Sequence, residues 1–329
     1  METLLEVDGL TVTTQDRSKC LLDEVSLRVG VGEVLAVVGE SGSGKSLTAL
    51  SAMQMLPRNL TMSARGMTLA GTDLRSLPHR EVDALHGGRI GMLFQQPRRM
   101  LDPTATVGSQ VAEPLVKHLR VSRSEARRRV LELLADVGID EPARRAQAYP
   151  HQLSGGLAQR VMIAIAIAAS PQLLIADEPT TALDVTVEAQ ILQLLEQKKR
   201  ELGMSVLFIS HDLNVVSSIA DRIAVMYAGR VVEVGTADQI MTSPEHPYTK
   251  ALIECATLRP DADGQLYVIP GGSDTARELD HGCRFRPRCG LAQEARLEKV
   301  CGADEPVLLS IGPTATDHEC RCWGTKEGA

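Results

Sequence analysis

Residues 34–46 read VLAVVGESGSGKS, five apolar residues followed by a loop rich in glycine and serine. The apolar run predicts a strand that is buried on both faces, and the residues from about Lys45 to Met55 predict a helix. Between them, Gly39–Ser46 fits the pattern G-x-x-x-x-G-K-[ST], whose backbone amides and helix N-terminus surround phosphate oxygens. We therefore predict a nucleotide site, with Lys45 at the β- and γ-phosphates and Ser46 at Mg²⁺. The candidate phosphate-binding residues are Gly39, Ser41, Gly42, Ser43, Gly44, Lys45 and Ser46.

A second apolar run, Leu173–Ala176, leads directly into two carboxylates, Asp177 and Glu178. Ligands of open α/β sheets bind at the carboxyl ends of the strands, so this pair is expected at such a site. There Asp177 can hold Mg²⁺, and Glu178 can act as the general base that activates a water molecule. Downstream of a phosphate loop, the pair predicts hydrolysis of the bound nucleotide.

The remaining pattern predicts an α/β protein with a parallel sheet. Strands and helices alternate after residue 171, and the region from about 97 to 170 is predicted to be helical. Within it, helical spacing places Val130, Leu131, Leu134 and Val137 on one side of a helix. From about residue 257 the pattern gives way to Pro, Gly, Asp and Cys. We predict an ATPase domain over residues 1–256 and a cysteine-rich extension over 257–329.

The composition limits the class of protein. The chain has 329 residues, 43% of them hydrophobic, and a formal charge of −7. The hydrophobic fraction is that of a soluble globular protein, and the negative charge argues against a general nucleic-acid binder. The longest apolar run, Val161–Ala169, is about half of the roughly 18–20 residues that cross a bilayer. Because the N-terminus lacks the basic and apolar segments of a signal peptide, we expect a cytosolic protein.

Residues 153–160 read LSGGLAQR and precede the strand with the two carboxylates. Here the sequence resembles the ATP-binding subunits of ABC transporters, whose signature motif is LSGGQ or a variant. The resemblance implies a P-loop ABC ATPase with a RecA-like parallel-sheet core, an antiparallel β subdomain, a helical subdomain and the cysteine-rich C-terminal extension. It also implies a second anion cradle that faces the ATP of a partner subunit, formed by Ser154, Gly155, Gly156 and Gln159.

The other motifs of that family follow in the expected order. Gln95 matches the Q-loop glutamine, which contacts Mg²⁺ and the attacking water, and Asp184 in Ala182–Asp184 matches the D-loop. His211 matches the switch histidine that contacts the γ-phosphate. The resemblance therefore implies that the catalytic residues are Glu178, His211 and Gln95, and that Mg²⁺ is bound through Ser46, Gln95 and Asp177.

Three further stretches narrow the resemblance. Residues 149–152 (YPHQ), 244–252 (PEHPYTKAL) and 282–289 (GCRFRPRC) look like the dipeptide/oligopeptide/nickel subfamily of bacterial ABC importers. That subfamily implies a peripheral subunit on the cytoplasmic face of the inner membrane. It would couple ATP hydrolysis to uptake of di- and oligopeptides or related small solutes. The implied partners are two transmembrane permease subunits, a periplasmic or lipoprotein solute-binding protein and a second, related ATPase subunit in a heterodimer.

Two alternatives to peptide uptake remain open. The first is an importer for nickel or metal chelates, because the matching stretches do not specify the solute. The second is a soluble ABC-type ATPase that acts on nucleic acid or ribosomes. The latter class usually carries a second cassette, a long coiled coil or a basic arm, and none is visible in this sequence. We expect no nucleic-acid partner.

Five of the seven cysteines fall between residues 283 and 322, in a segment with few core-forming residues. In the cytosol, a metal is a more common staple for such a segment than disulfides. Four thiolates suit either Zn²⁺ or an iron–sulfur cluster, and spacings wider than C-x-x-C favour the cluster. Members of the resembled subfamily carry a [4Fe–4S] cluster here, and their pattern favours Cys322 over Cys320. The implied ligands are Cys283, Cys289, Cys301 and Cys322.

Residues 1–93 contain no aromatic residue. ABC ATPases usually stack adenine on an aromatic residue just before the second strand, where this chain has Thr13 and Thr14. Stacking is worth about 1–3 kcal/mol per base in nucleic-acid binders. We therefore predict that the phosphates hold the nucleotide more than the base does, with weak discrimination between ATP and GTP.

Overall fold

The computed structural model describes residues 2–181, 183–257, 264–272, 276, 279, 281–294, 296–311 and 318–325. The chain divides into two compact units. The first unit comprises residues 1–4, 30–33 and 76–209, and the second comprises residues 5–29, 34–75 and 210–329.

The described residues contain strands and helices in mixed order. The strands are β1 (Thr3–Thr14), β2 (Cys20–Gly30), β3 (Val34–Val38), β4 (Leu60–Ser63), β5 (Gly66–Leu69), β6 (Thr72–Asp73), β7 (Ile90–Leu93), β8 (Leu173–Asp177), β9 (Ser205–Ile209), β10 (Arg222–Tyr227), β11 (Arg230–Thr236), β12 (Leu309–Ser310) and β13 (Glu319–Cys320). The helices are α1 (Lys45–Ala52), α2 (His79–Leu85), α3 (Pro97–Met100), α4 (Val107–Leu119), α5 (Arg123–Asp136), α6 (Pro142–Ala146), α7 (Gly155–Ile167), α8 (Val185–Leu202), α9 (Leu213–Ile219), α10 (Ala237–Thr242), α11 (Pro247–Thr257), α12 (Gly290–Glu294) and α13 (Glu298–Ala303).

In the first unit, β8 pairs in parallel with β7 on one side and with β9 on the other. Every residue of β8 and β9 is buried, as their continuous apolar runs predict. Helices α3 to α7 lie between β7 and β8 in the chain, which confirms the predicted helical region. Because the strands are parallel, the residues that follow β7 and β8 emerge at the same edge of the sheet.

The predicted side of α5 is largely the buried one. Val130, Leu134 and Val137 are buried, as is Ala126, whereas Leu131 is 38% exposed. Helices α4, α6 and α7 contact α5 and cover a stripe of positions spaced four residues apart. Helical spacing therefore predicted the buried face of α5, but it also assigned Leu131 to that face.

The second unit contains two groups of strands. An antiparallel sheet has the order β2-β1-β5-β6, with β4 also paired to β1. In the other group β3 pairs in parallel with β10, and β10 forms an antiparallel hairpin with β11. The hairpin turns at residues 228–229. Strand β13 pairs with β11, so the end of the cysteine-rich segment is tied to the sheet.

The architecture confirms the predicted fold class. Parallel strands, an antiparallel sheet and an inserted helical region are all present. The predicted boundary at residue 257 remains a prediction, because the two units divide the chain elsewhere. Among the described helices, none has the length and apolar character needed to span a bilayer.

Candidate functional site

The predicted phosphate loop lies between β3 and α1 in the second unit. Gly39 has φ 149°, and a Cβ there would lie 2.1 Å from the carbonyl oxygen of Met226. Gly44 has φ 110°, and a Cβ there would lie 2.5 Å from Cδ2 of Leu22. Because a side chain at either position would displace the loop, the two glycines are required for its path.

The interior of the loop carries a buried cation and a buried hydroxyl. Lys45 is 5% exposed, and its Nζ donates to the carbonyl oxygens of Gly39 (2.7 Å) and Glu40 (3.0 Å). Ser43 is 2% exposed, and within the described residues its hydroxyl has no hydrogen-bond partner. A buried donor without a partner is costly, and a phosphate oxygen would satisfy it. The loop therefore fits a phosphate group in both charge and hydrogen bonding. Its exposed members are Ser41, Gly42 and Ser46.

The two carboxylates lie at the end of β8 in the first unit. Asp177 is the last residue of β8 and is 7% exposed. Glu178 follows with φ 48°, in the left-handed region, and its amide donates to the carbonyl oxygen of Ile209 at 2.9 Å. A residue other than glycine in this conformation is strained, and such strain clusters at functional sites. The strand thus ends abruptly at the position predicted for the general base.

The carboxylate of Glu178 is held by two side chains. Nε2 of Gln95 donates to Oε2 of Glu178 at 2.6 Å, and Oγ1 of Thr181 donates to the same oxygen at 2.9 Å. Gln95 follows β7, so the parallel register of β7 and β8 brings the two together. Sequence reasoning predicted Gln95 and Glu178 but missed Thr181, since a threonine three residues after an acid is not a recognisable signal.

The signature residues begin α7. Ser154 is exposed and caps the helix, accepting a hydrogen bond from the amide of Leu157 at 3.3 Å. Gly155 is also exposed, and a Cβ on Gly156 would lie 3.0 Å from Cγ1 of Val187. The start of α7 therefore presents backbone amides and a hydroxyl at a helix N-terminus, the arrangement that favours an anion.

Gln159 is buried, unlike Ser154 and Gly155. It is 1% exposed, on the buried side of α7. Its contact with the nucleotide of a partner subunit stays a prediction.

The last two motif residues are both exposed. Asp184 caps α8 by accepting from the amide of Val187 at 3.0 Å, and its D-loop neighbour Ala182 lies outside the described residues. His211 lies in the second unit between β9 and α9. Both side chains are accessible to solvent in the isolated chain.

The segment before β2 is polar. Oγ1 of Thr13 lies 3.0 Å from Oγ1 of Thr61 on β4, and the hydroxyl of Thr14 donates to the carboxylate of Asp16. That hydrogen bond, together with those from Ser18, lowers the pKa of Asp16 to about 2. The position where an aromatic residue would stack on a base is therefore occupied by hydroxyls and an ionised carboxylate.

The cysteines of the predicted metal site lie in one neighbourhood. Burial, with smaller contributions from the charges of Glu305, Cys301 and Cys322, raises the pKa of Cys283 to about 12. Burial likewise raises the pKa of Cys322 to about 11, with contributions from Cys289 and Cys301. Cys301 and Cys322 are thus within electrostatic range of Cys283, and Cys289 and Cys301 are within electrostatic range of Cys322.

The predicted ligands nevertheless do not form a metal site in this structure. Among the described residues, no three His, Cys, Asp or Glu side chains form a group that could hold a metal ion. Four cysteine thiols are the donor type that holds an iron–sulfur cluster.

Comparison with known proteins identifies the family. Residues 22–181 match the ABC transporter family, and residues 232–295 match the C-terminal region of oligopeptide/dipeptide transporters. The chain is 42% identical to the oligopeptide transport ATP-binding protein OppD of Bacillus subtilis, over 97% of this chain and 88% of that protein. It belongs to the ABC transporter family of ATP-binding subunits.

Other relatives agree with this assignment. A probable peptide ABC transporter ATP-binding protein of Sinorhizobium fredii is 45% identical, over 93% of this chain and 90% of that protein. The ATP-binding cassette MJ0796, solved as a dimer bound to ADP and Pi, is 31% identical with a TM-score of 0.63, covering 71% of this chain and 99% of that one. The cassette cbiO1 of Clostridium perfringens has the same TM-score at 28% identity, covering 74% of this chain and 92% of that chain.

Membership of this family confirms the predicted activity. The chain is an ABC-type ATPase, and ATP and Mg²⁺ are its expected ligands. As an ATP-binding subunit of a transporter, it is expected to associate peripherally with a membrane through permease partners.

Proposed function

We propose that this chain hydrolyses ATP to drive the import of di- and oligopeptides through separate transmembrane subunits. The observation that carries the proposal is the combination of two matched regions in one chain. Residues 22–181 match an ABC transporter cassette, and residues 232–295 match a C-terminal region of oligopeptide/dipeptide transporters. Relatives that match nearly the whole chain are named a putative peptide import ATP-binding protein and an oligopeptide transport ATP-binding protein, which supports the same substrate class.

The proposed chemistry assigns a role to each polar group. Lys45 and the amides of Gly39–Ser46 bind the phosphates, and Ser46, Gln95 and Asp177 bind Mg²⁺. Glu178 accepts the proton of the attacking water, while Gln95 orients that water. His211 contacts the γ-phosphate. The Gln95–Glu178 hydrogen bond of 2.6 Å supports a shared role for these two residues.

The second half of the proposed site comes from a partner ATPase subunit. The exposed helix N-terminus at Ser154 and Gly155, together with Asp184, would face ATP held by that subunit. We propose a heterodimer with a related chain, peripheral on the cytoplasmic face of the membrane, that drives two permease subunits. A periplasmic or lipoprotein binding protein would deliver the solute.

Isolation of the assembly from its native membrane tests this proposal. We expect affinity-tagged chain to co-purify with a second ABC ATPase and two polytopic membrane proteins, and peptides to stimulate ATP hydrolysis in the presence of the binding protein. Recovery of the chain with nucleic acid or ribosomes, and without membrane proteins, would contradict the proposal.

The polar segment at Thr13 and Thr14 leads to a prediction about nucleotide preference. Without an aromatic residue there, a base gains none of the roughly 1–3 kcal/mol that stacking contributes. We expect ATP and GTP to bind with dissociation constants within about threefold of each other, because both carry the same triphosphate. Isothermal titration of the two nucleotides measures this. A preference for ATP of two orders of magnitude would show that other residues recognise adenine.

The cysteines lead to a prediction about metal content. We propose that Cys283, Cys289, Cys301 and Cys322 bind a [4Fe–4S] cluster when the protein is made anaerobically. The expected protein is brown and contains iron and acid-labile sulfide in equal amounts. Cys322→Ser should lose both, whereas Cys320→Ser, two residues away, should keep them. Colourless protein with one bound zinc would rule the cluster out in favour of Zn²⁺.

A further inference from the structure

The short segment Cys283–Cys289 alternates arginines with other residues and lies beside the phosphate loop. Its sequence is CRFRPRC, with arginines at 284, 286 and 288. Two of the three arginines reach the phosphate loop or the turn that supports it, and all of these residues belong to the second unit. The nucleotide-binding motifs of the sequence do not include this segment.

Arg288 forms a bidentate ion pair with Glu40, the second residue of the phosphate loop. Its Nη1 and Nη2 each lie 2.9 Å from a carboxylate oxygen of Glu40. The two side chains are 6% and 25% exposed, so solvent screens the pair only weakly. Two parallel hydrogen bonds fix both the distance and the orientation of the glutamate.

Arg288 is itself held in place from the other side. Its Nε donates to the carbonyl oxygen of Pro270 at 2.7 Å, and its Nη1 lies 3.3 Å from the hydroxyl of Tyr227. The amide of Glu40 donates to the hydroxyl of Tyr248 at 2.8 Å. Both ends of the ion pair are therefore anchored, and the guanidinium is fully engaged in these contacts.

Arg284 supports the opposite side of the same loop. Its Nη1 donates to the carbonyl oxygen of Ala228 at 2.6 Å, and its Nη2 pairs with Asp23. The amide of the next residue, Gly229, donates to the carbonyl oxygen of Ser43 at 2.8 Å. The segment thus contacts the loop directly at Glu40 and, through Ala228 and Gly229, indirectly at Ser43.

A loop rich in glycine loses much conformational freedom when it closes on a ligand. Contacts that hold it in the binding conformation beforehand reduce that cost and raise affinity. Glu40 is well placed to transmit such an effect, because its carbonyl oxygen also accepts the hydrogen bond from Lys45 at 3.0 Å.

We propose that Arg288 is a positioning residue that holds the phosphate loop ready for ATP by pairing with Glu40. The cysteine-flanked segment is then part of the nucleotide site, although it makes no contact with the phosphates. The proposal rests on the proposed binding of ATP by Gly39–Ser46. It assigns to the C-terminal region a role in nucleotide affinity, separate from any metal that the cysteines hold.

The experiment measures the dissociation constant of Mg-ATP for the full chain and its variants, together with KM and kcat for hydrolysis. Arg288→Ala should raise the dissociation constant and KM by between about tenfold and a hundredfold, the scale of a small misplacement at a site. The value of kcat at saturating ATP should change by less than about twofold. Arg288→Lys, which keeps the charge but not the bidentate geometry, should recover part of the affinity.

Two further variants separate positioning from general stability. Arg286 lies in the same segment, but its Nη1 contacts the carbonyl oxygen of Cys301 at 3.5 Å. Arg286→Ala should therefore leave ATP affinity at the parental value. Glu40→Gln should weaken binding as Arg288→Ala does, and the double variant should be no weaker than either single variant, because both remove one interaction.

Hydrogen exchange of the amides in residues 39–46 supplies a readout that does not depend on ATP. Faster exchange in Arg288→Ala, with parental exchange in Arg286→Ala, supports the proposal.

Three results would overturn the proposal. The first is an ATP affinity of Arg288→Ala within about twofold of the parent, and the second is full additivity with Glu40→Gln. The third applies if Arg288→Ala does not fold. In that case, an ATP affinity equal to that of the parent in both Arg288→Lys and Glu40→Gln overturns the proposal. A parental chain that binds no ATP would instead refute the proposed function of the loop.

Discussion

Glu178→Gln is expected to reduce ATP turnover by about 10²- to 10⁴-fold, the usual contribution of a general base. The amide keeps the size of the side chain and can still accept hydrogen bonds from Gln95 and Thr181, which lie 2.6 and 2.9 Å from Oε2 in the parent. It cannot accept a proton from water. Binding of ATP should therefore persist while hydrolysis stops, which single-turnover kinetics can measure separately.

The same variant should accumulate as a closed dimer. If hydrolysis normally reopens the two ATPase subunits, then a site that binds but does not hydrolyse ATP holds them together. We expect light scattering to show the Glu178→Gln chain and its partner ATPase as a stable pair in Mg-ATP, and the parental pair only transiently.

A matched control for this variant is Glu196→Gln on α8. Glu196 forms an exposed ion pair with Arg200, with 47% and 75% of the side chains exposed. Such pairs contribute little, so turnover should stay at the parental rate. Parental turnover in Glu178→Gln would show that another group activates the water.

Lys45→Ala is expected to raise the dissociation constant for ATP by at least about a hundredfold. The ammonium group is buried and donates to two carbonyl oxygens of the loop, at 2.7 and 3.0 Å. Truncating one partner of a buried, hydrogen-bonded charge pair costs about 2–5 kcal/mol of binding, and the phosphates would lose such a partner. Titration with a fluorescent ATP analogue measures the change.

Lys117→Ala provides the control for Lys45→Ala. Lys117 is an exposed residue in the last turn of α4, so its removal changes the net charge equally without touching the loop. Its ATP affinity should equal that of the parent. An affinity of Lys45→Ala within about threefold of the parent would mean that the lysine does not bind the phosphates, since charged hydrogen bonds contribute more than this.

The local parts of the site could be predicted from the sequence, because each depends on a few consecutive residues. The phosphate loop requires glycines at set positions, and Gly39 and Gly44 adopt the positive φ angles that such a loop needs. The apolar run of β8 leads into two carboxylates, Asp177 and Glu178. This pattern likewise predicts a residue that binds Mg²⁺ and a general base.

Relationships between distant residues could not be predicted in this way. Glu40 and Arg288 are 248 positions apart, and no spacing rule joins them. The contact of Thr181 with Glu178 depends on the left-handed conformation of Glu178, which the sequence does not display. The burial of Gln159 depends on how α7 packs, which the motif does not show.

The most direct test of the central claim is uptake of labelled peptides into vesicles that contain this chain and its permease partners. With Mg-ATP at the face that exposes the ATPase subunits and the binding protein on the other, we expect di- or oligopeptides to cross the bilayer towards the ATP side. Transport should stop with Glu178→Gln and continue with Glu196→Gln. The opposite result is normal ATP hydrolysis with transport of nickel or a metal chelate and no transport of peptide. That result would contradict the proposed import of peptides.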